Sequence, residues 1–138
     1  MTGDTFRVFL DRSLGTKKIA EALRALELDV ETIRDRYGDA STKTDDDVWI
    51  RDATDDGRVL IGADQRIRYN KLERTTICRN AARCFTFPNG NLTAADMIAR
   101  LERHLAKIIR CAETPGPYVY HILDDDVRLM KLDCADID

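Results

Sequence analysis

Histidine is scarce in this chain. Among 138 residues there are two, His104 and His121. Imidazole is the commonest metal ligand and general base, so a histidine-built zinc site or a Ser-His triad is poorly supplied. Cysteine is sparse too: Cys78, Cys84, Cys111 and Cys134 stand far apart, with no close pair. That spacing matches neither a zinc knuckle nor the framework of a small secreted domain. It points to reduced, buried thiols in a cytoplasmic protein. No apolar run approaches the roughly 20 residues of a membrane-spanning helix. The opening Met1-Thr2-Gly3-Asp4-Thr5 has no basic flank and no apolar segment, which argues against a signal peptide. Nor is there an excess of positive charge: 22 Lys and Arg against 25 Asp and Glu leave a net charge of −3. Any contact with nucleic acid must therefore rest on a local basic patch.

What is present is a single domain's worth of apolar residues, 43% of the chain, arranged in short runs that alternate with helical patterns. Phe6 to Leu10 reads as a buried strand. Lys17 to Leu28 reads as a helix, with Ile19, Leu23 and Leu26 on one face. Asp29 to Ile33 leans to strand, and Asp35 to Lys43 is a polar connection. Thr44 is placed to cap the next helix, with Asp47 in the capping-box position. That helix runs to about Asp55 and ends at Asp56-Gly57. Arg58 to Ala63 is the third strand, Lys71 to Asn80 a helix, Ala81 to Phe87 a fourth strand, and Pro88 to Asn91 a turn. Thr93 and Asp96 form a second cap-like pair. They open a long amphipathic helix whose apolar face is Met97, Ile98, Leu101, Leu105, Ile108 and Ile109. Pro115-Gly116-Pro117 stops it. Tyr118 to Leu123 and Val127 to Leu132 form a terminal hairpin around Asp124-Asp125-Asp126, a solvated turn. Residues 133–138 are an acidic, loose tail, leaving 1–132 as one domain. Alternating strands and helices imply an α/β fold with a mainly parallel central sheet flanked by helices, right-handed crossovers and the C-terminal hairpin.

Acids recur at the ends of these elements. Asp11 closes the first strand, Asp45-Asp46-Asp47 opens a helix, and Asp64 closes the third strand. Strand carboxyl ends and helix starts meet on one rim of a parallel sheet, where open α/β folds bind ligands. Grouped carboxylates repel each other unless a cation sits between them. Mg²⁺ and Mn²⁺ favour such hard oxygen donors and keep positions open for phosphate. Singly, each acid is also an ordinary turn or helix-start residue; the three together favour a metal site. Trp49 reads as a helix residue packed on the sheet, and both histidines as structural.

The stretch Phe9-Leu10-Asp11-Arg12-Ser13-Leu14-Gly15 resembles the opening of PIN-like nuclease domains of the VapC toxin type. Asp45-Asp46-Asp47-Val48-Trp49-Ile50, then Gly57 to Tyr69, then Asn89-Gly90-Asn91-Leu92-Thr93 follow in family order. The most specific pieces are Asp64-Gln65-Arg66-Ile67-Arg68-Tyr69 and Gly90-Asn91-Leu92-Thr93, and the likeness spans about residues 6 to 132. This resemblance implies an Mg²⁺- or Mn²⁺-dependent endoribonuclease, the toxin of a toxin–antitoxin pair, cutting RNA with metal-activated water. It implies that Asp11, Asp46 and Asp64 are metal ligands and catalytic acids, with Asp47 the next choice from the trio. A usual fourth acid is not obvious; Asn91 or Thr93 stands near its place. Arg12, Arg66, Arg68 and Lys71 are candidates for the RNA backbone, and Tyr69 for stacking on a base. The implied partners are a cognate antitoxin that pushes an Arg or Lys among the acids, an RNA substrate and a second copy of the chain, with no membrane. Two other readings fit the rim: a receiver-like domain with Asp64 as phosphoacceptor, and a non-catalytic binding module.

Overall fold

The computed structural model describes residues 5–11, 14, 17–63, 71–88 and 92–135, with 71–73 as backbone alone. In chain order the elements are β1 (Arg7–Leu10), α1 (Lys17–Ala25), β2 (Asp29–Thr32), α2 (Ile33–Tyr37), a 3₁₀ helix (Gly38–Lys43), α3 (Asp46–Asp55) and β3 (Val59–Gly62). They continue with α4 (Lys71–Asn80), β4 (Arg83–Thr86), α5 (Ala94–Ala112), β5 (Tyr118–Ile122) and β6 (Val127–Met130). The six strands form one sheet in the order β2-β1-β3-β4-β5-β6. β1 to β5 are mutually parallel, and β6 returns antiparallel to β5. The architecture is α/β, mostly parallel, with the terminal hairpin in place.

Strand alternation sends side chains to two cores. Val8, Leu10, Val59, Ile61 and Phe85 face α1 and α5, meeting Ile19, Leu23, Leu101 and Ile108. Phe9, Leu60, Cys84 and Val119 face the other layer, meeting Trp49, Ile50 and Ala53 of α3 and Ile77 of α4. All four residues of β3 are buried, as a central parallel strand covered on both faces requires. Trp49 packs on the sheet as expected, its ring stacked on Phe9 at 5.4 Å between centroids. Thr93 caps α5 in a reciprocal box with Asp96.

Several local expectations need correction. α1 stops at Ala25 rather than running to Leu28, because Glu27 takes a left-handed conformation with φ 67°. The polar connection from Asp35 to Lys43 is α2 followed by the 3₁₀ helix. Thr32 caps α2 in a box with Asp35, satisfying two helix-start N–H groups that the polar composition conceals. Thr44 is not the cap of α3; its hydroxyl donates to Ala40 O at 2.9 Å, and Asp45 is the N-cap with no side-chain capping bond. The expectation of four reduced thiols also fails. Cys78 of α4 and Cys134 beyond β6 form a disulfide across 56 residues of sequence, with Cα atoms 5.8 Å apart. Proximity of such distant positions is a property of the fold, not of spacing. The bond holds Cys134, within the stretch expected to be loose, to α4, residues 136–138 of that stretch lying outside the described residues, while Cys84 and Cys111 remain thiols. The Asp124–Asp126 turn is bound rather than simply solvated: Arg103 pairs with Asp124 at 2.7 Å, and Lys107 pairs with Asp126. His104 Nε2 lies 3.0 Å from Asp124 O.

Candidate active site

The carboxyl ends of β1 and β3 lie side by side in the middle of the sheet, with Leu10 opposite Ile61. Asp11 follows directly. Its N–H donates to Ile61 O at 2.9 Å, carrying the ladder one residue past β1, and its carbonyl accepts from Leu14 N–H at 2.9 Å. The half-buried side chain then leans across β3. A Cβ placed at Gly62 would lie 3.0 Å from Asp11 Oδ2 and 3.3 Å from Asp11 Cβ. Glycine at 62 therefore leaves the space that the Asp11 carboxylate fills, at the very end of β3.

α3 brings the next acids to the same rim. Its C-terminal end runs into β3 through a turn in which Gly57 N–H donates to Thr54 O and Arg58 N–H to Ala53 O. The helix is therefore antiparallel to the strands, and its N-terminus lies at their carboxyl ends. Asp46 and Asp47 occupy its first turn, where the helix dipole favours negative charge. Asp47 is exposed. Asp46 is half-buried, and its Oδ1 accepts a 2.8 Å hydrogen bond from Trp49 Nε1.

The far end of α3 is anchored by ions. Asp56 Oδ2 meets Arg7 at 3.0 Å, Arg36 at 2.8 Å and Arg58 at 3.0 Å. Arg58, with a side chain only 8% exposed, also pairs with Asp29 at 3.0 Å and donates to Val8 O and Asp29 O. Burial alone would push the Asp56 carboxyl up, but hydrogen bonds from Arg58 and Arg7 and the charges around it hold it below the usual carboxylate range. Tyr37 donates to Asp52 Oδ2 at 2.7 Å; burial, reinforced by that carboxylate, raises its phenol well above the usual value.

A cavity of about 530 Å³ opens beside Asp11, between α1, the start of α2 and the 3₁₀ helix. Leu10, Leu14, Ala20 and Ile33 form its apolar wall, and Lys17, Arg24 and Arg34 bring positive charge to it. Arg24 is engaged by Asp35 at 2.8 Å. Burial raises the Asp35 carboxyl, but the Thr32 N–H and Arg24 outweigh it and hold it low. Asp11, Glu21 and Asp35 line the same cavity and balance these cations; Lys17 and Arg34 do not stand out in the sequence, because their place beside this cavity depends on how α1 and α2 pack around the end of β1.

The remaining sequence-derived site residues divide. Thr93 sits at the N-cap of α5, its Oγ1 accepting from Asp96 N–H at 3.1 Å. Arg12, Asp64, Arg66, Arg68, Tyr69 and Asn91, and the side chain of Lys71, lie outside the described residues. Among the described residues, no three His, Cys, Asp or Glu side chains are grouped to hold a metal ion. Asp11 and Asp46 do share the rim, and their all-oxygen donor set suits a hard divalent cation. The cradle at Gly62 accommodates one of those donors.

Among the described residues, no helix is long and apolar enough to cross a membrane. A family model described as a PIN like domain matches residues 6–89. A protein of Mycobacterium tuberculosis (strain ATCC 25618 / H37Rv), named "Putative ribonuclease VapC45", is 32% identical over 123 residues, covering 88% of this chain and 89% of the relative. No solved structure matches.

Proposed function

The chain belongs to the PIN-like domain family, of the VapC type, and from that membership we propose that it is a divalent-metal-dependent endoribonuclease, the toxin of a toxin–antitoxin pair. The observation that carries this reading is the Asp11 carboxylate lying over Gly62, on the rim that also receives the N-terminus of α3 with Asp46. Asp11, Asp46 and Asp64 are the proposed ligands and catalytic acids, with Asp47 the alternative in the first turn of α3. When bound, Mg²⁺ or Mn²⁺ supplies a Lewis acid that activates water and neutralises charge on the scissile phosphate.

The chain's own residues do the rest. The β1–β3 ladder fixes the backbone of Asp11, and the missing side chain at Gly62 lets its carboxylate settle over β3. The α3 dipole and the Trp49 N–H favour the Asp46 carboxylate on the rim. Arg12, Arg66, Arg68, Asn91 and Thr93 are the proposed RNA contacts, and Lys17 and Arg34 join them from the cavity. Basic side chains supply most sequence-independent affinity for the backbone. The relative's name attaches ribonuclease activity to a chain aligned over nearly the whole of this one.

An antitoxin is the proposed protein partner, pushing an Arg or Lys among Asp11, Asp46 and Asp64 in place of the metal charge. The toxin is expected to act in the cytoplasm as a homodimer. A complex that leaves these three acids uncovered would sink this mode of inhibition.

The decisive experiment is cleavage of labelled RNA by the pure protein with Mg²⁺, Mn²⁺ or chelator, alongside Asp11→Asn and Asp64→Asn. Loss of a metal ligand should remove several kcal/mol of transition-state stabilisation, roughly 100-fold or more in rate. RNA binding without cleavage under any metal would favour a non-catalytic module instead.

A further inference from the structure

We infer that Trp49 is a positioning residue for Asp46, holding one carboxylate oxygen in place for the metal site; the inference rests on the function proposed above. A buried indole needs a partner for its N–H, and Trp49 is 3% exposed. Its Nε1 donates to Asp46 Oδ1 at 2.8 Å, a distance typical of a bond to a charged acceptor. Asp45, one residue earlier, makes no side-chain capping bond. The acid in the first turn of α3 is instead held by the indole N–H.

The donor is itself immobilised. The indole stacks on Phe9 at 5.4 Å with an interplanar angle of 13°. Phe9 is fully buried, and Arg36 lies 5.8 Å over its ring. Phe9 stands on β1, two residues before Asp11. The same side chain therefore ties the Asp46 carboxylate to the strand that delivers Asp11, and the two acids are referred to one rigid stack. With Oδ1 held, Oδ2 would be the oxygen left to a cation, and the N–H dipole would offset repulsion between neighbouring carboxylates before one arrives. Outer-shell partners of this kind typically change metal affinity 10–100-fold when removed.

Trp49 is the sole tryptophan, so protein labelled with ¹⁵N-tryptophan gives one indole N–H resonance. Mg²⁺ titration should shift that resonance, saturating at the concentration that saturates RNA cleavage, and Asp46→Asn should move it in the absence of metal. Trp49→Phe keeps an aromatic ring against Phe9 and loses the donor. It should bind Mn²⁺ roughly 10-fold more weakly, measured from the EPR signal of unbound Mn²⁺, and this effect should vanish in an Asp46→Asn background. A folded Trp49→Phe protein with unchanged Mn²⁺ affinity would overturn the inference. So would an indole resonance unmoved by saturating Mg²⁺ in protein whose cleavage requires Mg²⁺, a result that decides the matter even if Trp49→Phe fails to fold. In both cases the nuclease reading stands. Absence of both metal binding and cleavage in the unaltered protein would overturn the two together.

Discussion

At position 62 a single methyl group would press on Asp11, with 3.0 Å from the added Cβ to Oδ2. Asp11 Cβ would also lie 3.3 Å from the added atom, so the carboxylate must give by a few tenths of an ångström, and the penalty should fall on the site rather than on the fold. Gly62→Ala is expected to lower Mn²⁺ affinity and cleavage by roughly 10-fold, as a shift of a ligand's support does, while circular dichroism and melting change little. Normal cleavage by the Gly62→Ala protein would show that Asp11 does not need this place. Thr93 presents the opposite case. Its hydroxyl oxygen accepts from Asp96 N–H, so Thr93→Ala should cost about 1 kcal/mol of stability, read from denaturant unfolding. A loss of RNA cleavage much larger than the stability change predicts would mark Thr93 as an RNA contact as well as a cap.

At the scale of elements, α3 is the part on which the proposed site depends. It carries Asp46 at one end and is clamped at the other by Asp56 among Arg7, Arg36 and Arg58. Arg58 is the one buried member of the cluster, and it also donates to Val8 O and Asp29 O. Asp56 keeps Arg7 and Arg36 without it, so Arg58→Ala should destabilise the protein by about 2 kcal/mol, mainly through the lost hydrogen bonds. The Asp56 carboxyl is held below its ordinary value of 3.8 by these arginines. A group whose folded pKa is depressed contributes stability above its unfolded pKa and loses it as pH falls through the folded value. Melting temperature should therefore drop as pH falls below about 4, and Asp56→Asn should flatten that part of the profile. An unchanged profile would mean that other carboxylates dominate acid unfolding. Thr32-Ile33-Arg34-Asp35 is a local signal that a closer reading could find: it has capping-box spacing, and α2 begins there. The box is obscured because Val30, Thr32 and Ile33 also favour strand.

At the scale of the whole molecule, the sheet order resembles doubly wound folds with different chemistry, and the run β2-β1-β3-β4-β5 is shared with flavodoxin-like proteins. Topology therefore does not separate the nuclease from a receiver-like phosphoacceptor; family membership does. The Cys78–Cys134 bond links α4 to the chain beyond β6 across 56 residues of sequence. Bonds of this kind contribute about 2–4 kcal/mol, so reducing agent should lower the melting temperature of the protein, and Cys134→Ser should remove that sensitivity. Disulfides persist in oxidising compartments and are rare in reducing ones, which sets this bond against the cytoplasmic expectation. Thiol titration of denatured, unreduced protein distinguishes the two: two reactive thiols if the bond is formed, four if it is not.

Patterns of short range are legible in the sequence. The short apolar runs of the strands, the helical face from Met97 to Ile109, the box at Thr93 and the hairpin at Asp124–Asp126 depend on neighbours within a turn or two. The shared rim of Asp11 and Asp46 is legible because strand ends and helix starts converge on one rim of any parallel sheet. What the tertiary structure decided is what no spacing encodes. It brought Gly62 under Asp11, set Trp49 against Phe9 so that the indole reaches Asp46, gathered three arginines on Asp56, and placed Cys78 beside Cys134. Each of these includes a contact between residues tens of positions apart, Gly62 with Asp11, Trp49 with Phe9, Arg7 with Asp56 and Cys78 with Cys134, and that meeting depends on burying both faces of the sheet at once.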